Sequence, residues 1–415
     1  MLKKISLYFL LLSHSLTSVA APDVVIEDKS WYLPLIMDQP TQELLTLPIN
    51  LKSNDQFIDI RGVGDTAHVW GGKESLIPIE KGFSDILKTN DPSGLLFKSD
   101  LMFVNWESVV SKRCYKRRAV QYYFLSHPNA IKDAINHGFN LFGFANNHAR
   151  DCDDALTVNN KRVAGQYATA SHIDDFMKNH ENVIGAGVKY GVYSKNILID
   201  GVLRKVTLSS VFLGWAIPNV FSFSGYEANL IDEVKKTFNL IPQDSDINIL
   251  AIHTQDKSGS NRKEDYAFKA LKKIATLFIK DYRGSVVYGH GPHTFAGVKV
   301  IKKDDGKKGV IFTSLGNFLH QGVIKEAENY IGRALFDQDL NLREVQVLPF
   351  VNSKNNATST SIATFYNFKN FVDRITTRES SLNQPLIQAN FKWQRSTLSL
   401  DATENNKKFV YKANF

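Results

Sequence analysis

The sequence predicts an α/β fold in which two mixed β-sheets stack against each other and helices cover their outer faces. Short apolar runs alternate along the chain with amphipathic segments of helical period, which is the pattern of strands and helices in such proteins. Polar side chains follow five of the apolar runs. A sandwich of two mixed sheets is the arrangement that would bring all five strand ends together.

The first 20 residues have the form of a secretory signal peptide. Two lysines precede an apolar run over residues 5–12, and residues 18–20 (Ser-Val-Ala) supply the small side chains that signal peptidase reads. A membrane anchor is the alternative, but the run is too short to span a bilayer, which takes about 20 residues. We expect cleavage after Ala20, export to the periplasm or the extracellular space, and no transmembrane segment in the mature chain.

The rest of the chain divides into three parts. Residues 21–56 contain several prolines and little periodicity, and we expect an N-terminal extension that lies on the core. Residues 57–350 carry the alternating pattern and form the main domain. Residues 351–415 are polar and aromatic, and they are predicted to wrap the core or to form a small β-rich C-terminal extension.

Helices and hairpins can be placed within the main domain. Helices are predicted over residues 126–137 (with Ser126 as the cap and Gly138 as the stop), 163–179 and 265–280. Hairpins are predicted for residues 196–199 with 205–213, around Asp200-Gly201, and for residues 298–301 with 309–313. A late strand is predicted over residues 340–349.

The composition is that of an ordinary globular protein, with a net charge of +8 that includes the two signal-peptide lysines. So mild a charge favours an anionic polymer or a phosphoester substrate only weakly, and a solvated mixed surface is the simpler interpretation. No basic run with interleaved aromatic residues is identified that would indicate nucleic-acid binding, so nucleic acid is not an expected partner.

The two cysteines, Cys114 and Cys152, are predicted to form a disulfide. An even number of cysteines favours a disulfide in an oxidising compartment. Each cysteine lies just after one of the polar clusters, on the same edge of the predicted sheet. A bridge would therefore tie two loops of the site together, and two separate buried thiols are the alternative.

The polar clusters at the strand ends supply the candidate site residues. In chain order they are Gly64-Asp65 after residues 57–63, Asn105-Trp106-Glu107 after 101–104, Asn146-Asn147-His148 with Asp151 after 139–145, His253 after 247–252, and Gly289-His290-Gly291-Pro292-His293 after 285–288. In α/β sheets, ligand and metal sites lie at these carboxyl ends. Carboxylate, imidazole and amide oxygen groups are the ligands of hard and borderline divalent metals.

We divide these residues into a metal-binding set and an acid–base pair. The metal-binding set is Asp65, Glu107, Asn147, His253, His290 and His293. We expect divalent metal ions, two in number, and the residue types do not distinguish manganese, iron or zinc. His148 is the candidate general acid, and Asp151 is the carboxylate that would orient it. Each residue alone has an ordinary explanation, such as a turn at Gly64-Asp65, so the hypothesis depends on their joint occurrence.

Taken in order, the motifs resemble the CapA family of capsule-synthesis or poly-γ-glutamate biosynthesis proteins, in the calcineurin-like metallophosphoesterase superfamily. The motifs are Gly64-Asp65, Asn105-Trp106-Glu107, Asn146-Asn147-His148-x-x-Asp151, Gly185-Ala186-Gly187, His253, Gly289-His290-Gly291-Pro292-His293 and Ser314-Leu315-Gly316-Asn317-Phe318. The resemblance runs from about residue 57 to residue 350. It implies a four-layer α-β-β-α sandwich, a metal centre at the residues named above, export, and a link to an extracellular polymer.

Four residues in three motifs depart from the family pattern. Trp106 replaces a leucine, Thr254-Gln255 replace Trp-Gly, and Gly291 stands where many members carry a histidine. Two functions are therefore expected. One is a metal-dependent phosphoesterase-like hydrolase, acting on a phosphoester or an envelope polymer linkage in capsule or poly-γ-glutamate biosynthesis. The other is a non-catalytic accessory protein that binds an anionic polymer or a polymer-synthase complex. A nutritional phosphatase would fit the fold but not the usual context of the family.

Overall fold

The computed structural model describes residues 46–49, 57–67, 96–119, 123–224, 227–255, 266–293, 295–320, 328–352, 360–362, 394–398 and 408–414. The predicted signal peptide, and the greater part of both extensions, lie outside these residues. In the part of the chain that is described, no helix is long and apolar enough to cross a membrane.

The described residues form four α-helices and 23 β-strands. The helices are α1 Pro128–Asn136, α2 Gly165–Asn179, α3 Glu227–Phe238 and α4 Tyr266–Asp281. The strands of the first half are β1 Thr46–Ile49, β2 Ile58–Ala67, β3 Leu101–Trp106, β4 Val109–Val110, β5 Cys114–Arg117, β6 Leu125–Ser126, β7 Leu141–Gly143, β8 Cys152–Leu156, β9 Arg162–Val163, β10 Ile184–Ala186, β11 Val192–Ile199 and β12 Val202–Leu213. The strands of the second half are β13 Ser222–Phe223, β14 Ile247–Thr254, β15 Val286–His290, β16 Phe295–Lys302, β17 Lys308–Leu315, β18 Asn317–His320, β19 Glu328–Phe336, β20 Leu342–Asn352, β21 Thr360–Ile362, β22 Gln394–Leu398 and β23 Lys408–Asn414.

The first sheet has eleven strands in the order β1-β22-β23-β20-β19-β2-β3-β7-β10, with β18 paired to β2 and β21 to β20. Its strands β2, β3, β7 and β10 run parallel, whereas β19 is antiparallel to β2. The described strands of the C-terminal extension, β21 to β23, continue this sheet beyond β20. These described strands therefore belong to the first sheet.

The second sheet has seven strands in the order β11-β12-β14-β15-β17-β16, with β13 paired to β12. Its central strands β12, β14, β15 and β17 are parallel, and antiparallel strands lie at both edges. Both predicted hairpins form here. The turn between β11 and β12 is tight because Asp200 and Gly201 adopt positive φ angles of 47° and 78°, which is the geometry of short hairpin turns.

Three apolar clusters hold the sheets and helices together. One joins side chains of both sheets, such as Phe103 of the first and Leu208 of the second. A second packs α1 and α2 against the first sheet through residues such as Ile173, and a third packs α3 and α4 against the second sheet through residues such as Ile274. The chain is thus an α/β protein with two mixed sheets, as predicted, and the shared cluster is compatible with a sandwich.

Two helices begin two residues later than predicted. Helix α1 starts at Pro128 because Ser126 pairs in β6, and the cap is His127, whose Nδ1 accepts a hydrogen bond from the Asn129 amide at 3.2 Å. The assignment of Ser126 as the cap is therefore wrong, whereas Gly138, with φ 109°, ends the helical segment as expected. Helix α2 starts at Gly165 because Val163 pairs with β8.

The strands extend further than the apolar runs that predict them. Strands β2, β3, β14 and β15 continue to Ala67, Trp106, Thr254 and His290. The polar residues Asp65, Asn105, His253 and His290 therefore lie within the last residues of the strands, and not after them. The reason is that backbone pairing does not depend on side-chain polarity. Asp65, for example, pairs with Asn317 of β18.

Candidate metal centre

The carboxyl ends of four parallel strands bring the central candidate residues together. The Nδ1 atom of His290 lies 3.2 Å from Asp65 Oδ1, and His253 Nδ1 lies 3.6 Å from the same oxygen. The other ring nitrogen of His253 is 3.6 Å from Glu107 Oε1. Asp65, Glu107 and His253 each offer a ligand atom within 4.8 Å of the others, and all three are buried. This cluster can hold a metal ion.

Asn105 connects the carboxylate of Asp65 to the imidazole of His253. Its Nδ2 donates to Asp65 Oδ1 at 2.7 Å and lies 3.1 Å from His253 Nδ1. An amide nitrogen can only donate, so His253 Nδ1 acts as the acceptor and its Nε2 faces Glu107. The sequence interpretation did not assign Asn105 to the site. The available signal was its place in the Asn105-Trp106-Glu107 motif.

Backbone close to Asp65 fixes the orientation of its carboxylate. The amide of Gly291 donates to Asp65 Oδ2 at 3.2 Å. Gly291 has a φ of 106°, and a Cβ atom there would lie 1.7 Å from the Thr254 carbonyl oxygen. Only glycine fits this backbone. The departure from the family pattern at Gly291 thus has a local steric reason.

His293 and Asn317 close another side of the cluster. His293 Nδ1 lies 2.8 Å from Asn317 Oδ1 and 3.4 Å from Asp65 Oδ2. Burial alone would lower the pKa of His293, but the carboxylates of Glu107 and Asp65 outweigh it and raise this pKa to about 10. Asn317 was also missed as a site residue, although the Ser314–Phe318 motif contains it.

His148 and Asp151 form a pair at the edge of the cluster. Asp151 Oδ2 is 2.5 Å from His148 Nδ1 and also accepts the Phe124 amide at 2.6 Å. The other ring nitrogen of His148 lies 3.8 Å from Glu107 Oε1, and the Phe124 ring packs on the imidazole with 4.1 Å between centroids. Burial lowers the pKa of His148, but the Asp151 carboxylate outweighs it, so the pKa is raised.

The turn that carries His148 is anchored to β3. Asn146 Nδ2 donates to the Trp106 carbonyl at 2.9 Å, and its Oδ1 accepts the His148 amide at 3.1 Å. Asn147 lies between these two residues in the sequence. Its side-chain oxygen is buried and accepts no hydrogen bond from the described residues. A buried amide oxygen of this kind is costly unless a ligand satisfies it. Asn147 therefore fits the role of a metal ligand.

The other two departures from the family pattern have different places in the structure. Trp106 is fully buried in the cluster that packs helices on the first sheet, 6.1 Å from the Phe142 ring. It is a core residue and does not change the donor set. Thr254 Oγ1 donates to the His290 carbonyl at 3.1 Å and so connects the ends of β14 and β15.

The donor types at this site suit a divalent metal. Buried carboxylates, imidazoles and an amide oxygen are the groups that borderline divalent ions prefer. Burial lowers the pKa of His290, so its imidazole is neutral and can offer a lone pair near neutral pH.

The predicted disulfide is confirmed. Cys114 and Cys152 are bonded, with their α-carbons 5.9 Å apart, within the usual range for disulfides. The bond joins β5 to the first residue of β8, which follows Asp151 directly. A disulfide is consistent with an exported protein.

Comparison with known families identifies one family for this chain. The model of the family described as "Bacterial capsule synthesis protein PGA_cap" matches residues 60–322, more than half of the chain. The matched range contains every candidate site residue from Asp65 to His293. No individual curated protein matches the chain significantly. The chain belongs to the bacterial capsule synthesis protein family PGA_cap.

Proposed function

We propose that this protein is an exported, metal-dependent hydrolase that acts on a phosphoester or a related linkage during the biosynthesis of a capsule, poly-γ-glutamate or a similar envelope polymer. The proposal rests on one observation, the buried cluster of Asp65, Glu107 and His253 within 4.8 Å. Carboxylates and imidazoles in this arrangement are the donor set of metal-dependent phosphoester hydrolysis.

Asp65, Glu107, Asn147, His253, His290 and His293 would hold the metal, which we propose to be two ions. His293, whose pKa is raised to about 10 by the neighbouring carboxylates, would release its proton on binding the metal. Divalent cations in such a set supply Lewis-acid activation of a phosphoryl group and of water. Other residues of the chain orient these ligand side chains. Asn105 holds Asp65 and His253 in one geometry, and the Gly291 amide fixes the second carboxylate oxygen of Asp65.

His148 is suited to protonate the leaving-group oxygen. Asp151 binds Nδ1 of the ring, so Nε2 is the atom that faces the cluster and would donate the proton. The raised pKa of His148 favours the protonated form near neutral pH. Phe124 covers the imidazole and limits its contact with water.

The wider architecture supports the same proposal. We infer that the two sheets and the helices packed on them form the four-layer α-β-β-α sandwich of metallophosphoesterases, since separate apolar clusters join helices to each sheet and the sheets to each other. Export would involve cleavage after Ala20.

Metal analysis combined with a chromogenic phosphodiester tests the proposal. We expect the purified mature protein to contain a stoichiometric transition metal and to hydrolyse bis(p-nitrophenyl) phosphate. The Glu107→Gln variant should lose both properties, whereas Glu233→Gln, on the exposed surface of α3, should lose neither.

Two outcomes would contradict it. A Glu107→Gln variant with full activity would exclude the cluster as the reaction centre. A stable, metal-free protein that binds a capsule polymer or a synthase, and that gains no activity with manganese, iron or zinc, would favour the accessory role.

A further inference from the structure

We infer that a basic surface beside the metal centre binds a polymer with repeated phosphodiester groups and leads it to His148. We call this surface the basic ribbon, and it comprises residues 111–118 on and around β5 and residues 150–163 on and around β8 and β9. The inference rests on the proposed function, because it names the substrate class of that centre.

Charge is concentrated in the basic ribbon. Its two segments contain eight basic and three acidic residues, an excess of five in a chain whose net charge is +8. The stretch Lys112 to Arg118 alone has five basic residues around the aromatic Tyr115. This corrects the sequence interpretation, which identified no basic run with interleaved aromatic residues. The second group of cations, near Arg162, joins the first only through the pairing of β5, β8 and β9.

Part of this positive charge has no acidic partner. Arg150 lies 3.9 Å from Asp153, and Arg162 pairs with Asp154. By contrast, Lys112 and Arg118 pair with no carboxylate among the residues that the structure describes. Lys116 forms no close ion pair there either, but it lies opposite Asp154 in the pairing of β5 with β8, and its charge helps to lower the pKa of Asp154. Lys112 and Lys116 are exposed, and Arg118 is partly exposed. Lys112 and Arg118 are therefore available to an external anion, and Lys116 can add to their charge although Asp154 offsets part of its own.

The basic ribbon is joined directly to the candidate general acid. Arg117 pairs with Cys152, and the Arg118 amide donates to the Asp151 carbonyl at 3.0 Å. Lys112 lies at the opposite end, six residues from Arg118. At about 3.3 Å per extended residue, the basic ribbon spans roughly 20 Å. A surface of that length accommodates several repeat units of a polymer, and the linkage that follows those units would then lie at the metal centre.

The basic ribbon is also held rigidly. The Cys114–Cys152 disulfide links β5 to β8, and Ser111 Oγ accepts the Leu156 amide at 2.8 Å near the distal end. The guanidinium groups of Arg113 and Arg162 lie 4.8 and 4.4 Å from the centroid of the Tyr115 ring. These contacts order Arg113 and Arg162, and cations that are already ordered lose less entropy when a ligand binds.

The chemistry of the centre decides which anion this surface fits. Arginine and lysine bind both phosphates and carboxylates. A polymer linked by phosphodiesters carries one negative charge at each linkage, and each linkage is also a bond that the proposed hydrolase could cleave. A single polymer can therefore occupy the basic ribbon and present a scissile group to His148.

The test compares two triple variants with the same change in net charge. The first is Lys112→Ala/Lys116→Ala/Arg118→Ala, and the control is Lys235→Ala/Lys236→Ala/Lys280→Ala on α3 and α4. Binding of fluorescein-labelled poly(glycerol phosphate) is measured by anisotropy over a range of salt concentrations. Poly-γ-glutamate with the same number of charges and neutral dextran are the comparison polymers.

For poly(glycerol phosphate), we expect the first variant to bind at least about 10-fold more weakly than the natural protein at low salt. The slope of log affinity against log salt should fall by about 2, since each cation contributes about 0.7 with a flexible polyanion. The control should bind like the natural protein, and dextran should not bind. Equal losses in both variants, or binding of poly-γ-glutamate as tight as that of poly(glycerol phosphate), would overturn the inference.

Folding and catalysis are separated from binding in the same experiment. Thermal unfolding and thiol titration show whether the first variant keeps its fold and its disulfide. If the variant does not, Lys112→Gln and Lys116→Gln are tested in its place, because both side chains are exposed. All binding is repeated in the Glu107→Gln background. Basic-ribbon-dependent binding without any hydrolase activity would contradict the proposed function alone, whereas hydrolysis of a small phosphodiester without polymer binding would contradict the basic ribbon alone.

Discussion

Strand β2 carries a buried carboxylate near each end, and different cationic side chains surround the two. Asp59, near the start, accepts hydrogen bonds from Arg61 at 2.5 Å and from Arg333 at 2.7 Å. Arg61 also donates to the Leu96 carbonyl at 2.8 Å, and Arg333 donates to Gln346 at 3.0 Å. Burial alone would raise the pKa of Asp59, but the two guanidinium groups outweigh it and lower this pKa.

Asp65, near the other end, faces imidazoles instead of guanidinium groups. The shifts have the same direction, since His253, His290 and His293 outweigh burial and lower the pKa of Asp65. The difference lies in what the partners can do. A guanidinium stays protonated and cannot ligate a metal, whereas an imidazole can lose its proton and offer a lone pair. The Asp59 network is thus an ion cluster without a free metal-ligating nitrogen, which is costly to break, whereas the Asp65 cluster is a set of donors that a cation could complete.

The substitution Asp65→Asn should have the largest effect on function. We expect the loss of bound metal and a fall in phosphodiesterase activity of at least about 10⁴-fold, because activation of the phosphoryl group and of water is each worth several kcal/mol. The metal-free variant should also lose unfolding free energy near neutral pH, because Asp65 is a buried carboxylate whose pKa is lowered in the folded protein. Metal analysis and denaturant titration check both. A variant that retains stoichiometric metal would remove Asp65 from the donor set.

The substitution His148→Asn should lower turnover by about 10²–10⁴-fold while most bound metal remains. The pKa of His148 is raised in the folded protein. A general acid works only when protonated, so activity should fall as pH rises through that pKa, and the variant should lack this dependence. His293→Asn is the control and should lose metal and activity together. If His148→Asn purifies without metal, His148 is a ligand and not the acid.

The substitution Asp59→Asn should affect stability and leave the metal centre intact. It leaves two guanidinium groups buried without their carboxylate, which costs about 3–5 kcal/mol. Because the pKa of Asp59 is lowered in the folded protein, this stability is present above its unfolded value near 3.9 and is lost as pH falls through the folded pKa. Asp174→Asn, in an exposed pair with Lys189, should cost less than about 1 kcal/mol. Equal losses of unfolding free energy in Asp59→Asn and Asp174→Asn would show that the buried Asp59 network contributes no more to stability than an exposed ion pair.

Removal of the disulfide should have a smaller effect than Asp59→Asn. The double variant Cys114→Ser/Cys152→Ser should lose about 2–4 kcal/mol of unfolding free energy, because the bond closes a loop of 38 residues. Denaturant titration of the natural protein with and without dithiothreitol should give the same difference. A change below about 0.5 kcal/mol would show that the reduced chain holds β5 against β8 without the bond.

Local patterns in the sequence determined the fold class, the main secondary structure and most candidate site residues. Alternating apolar runs predicted a mixed sheet with helices outside, and the five polar strand ends favoured a sandwich of two such sheets. The helical stripe at residues 265–280 predicted α4 within one residue. The cysteine count and positions predicted the disulfide. Helical and strand periods, turn residues and strand-end polarity are all local properties, so they can be read without knowing which strands are neighbours.

Tertiary structure alone decided the contacts between distant segments. Arg333 reaches Asp59 because β19 pairs with β2, and Asn105 bridges Asp65 and His253 because strands of two sheets end at one place. The two halves of the basic ribbon meet only where β5 pairs with β8. Strand order and register depend on the packing of the whole core, so no single segment of the sequence contains the information that places these side chains together.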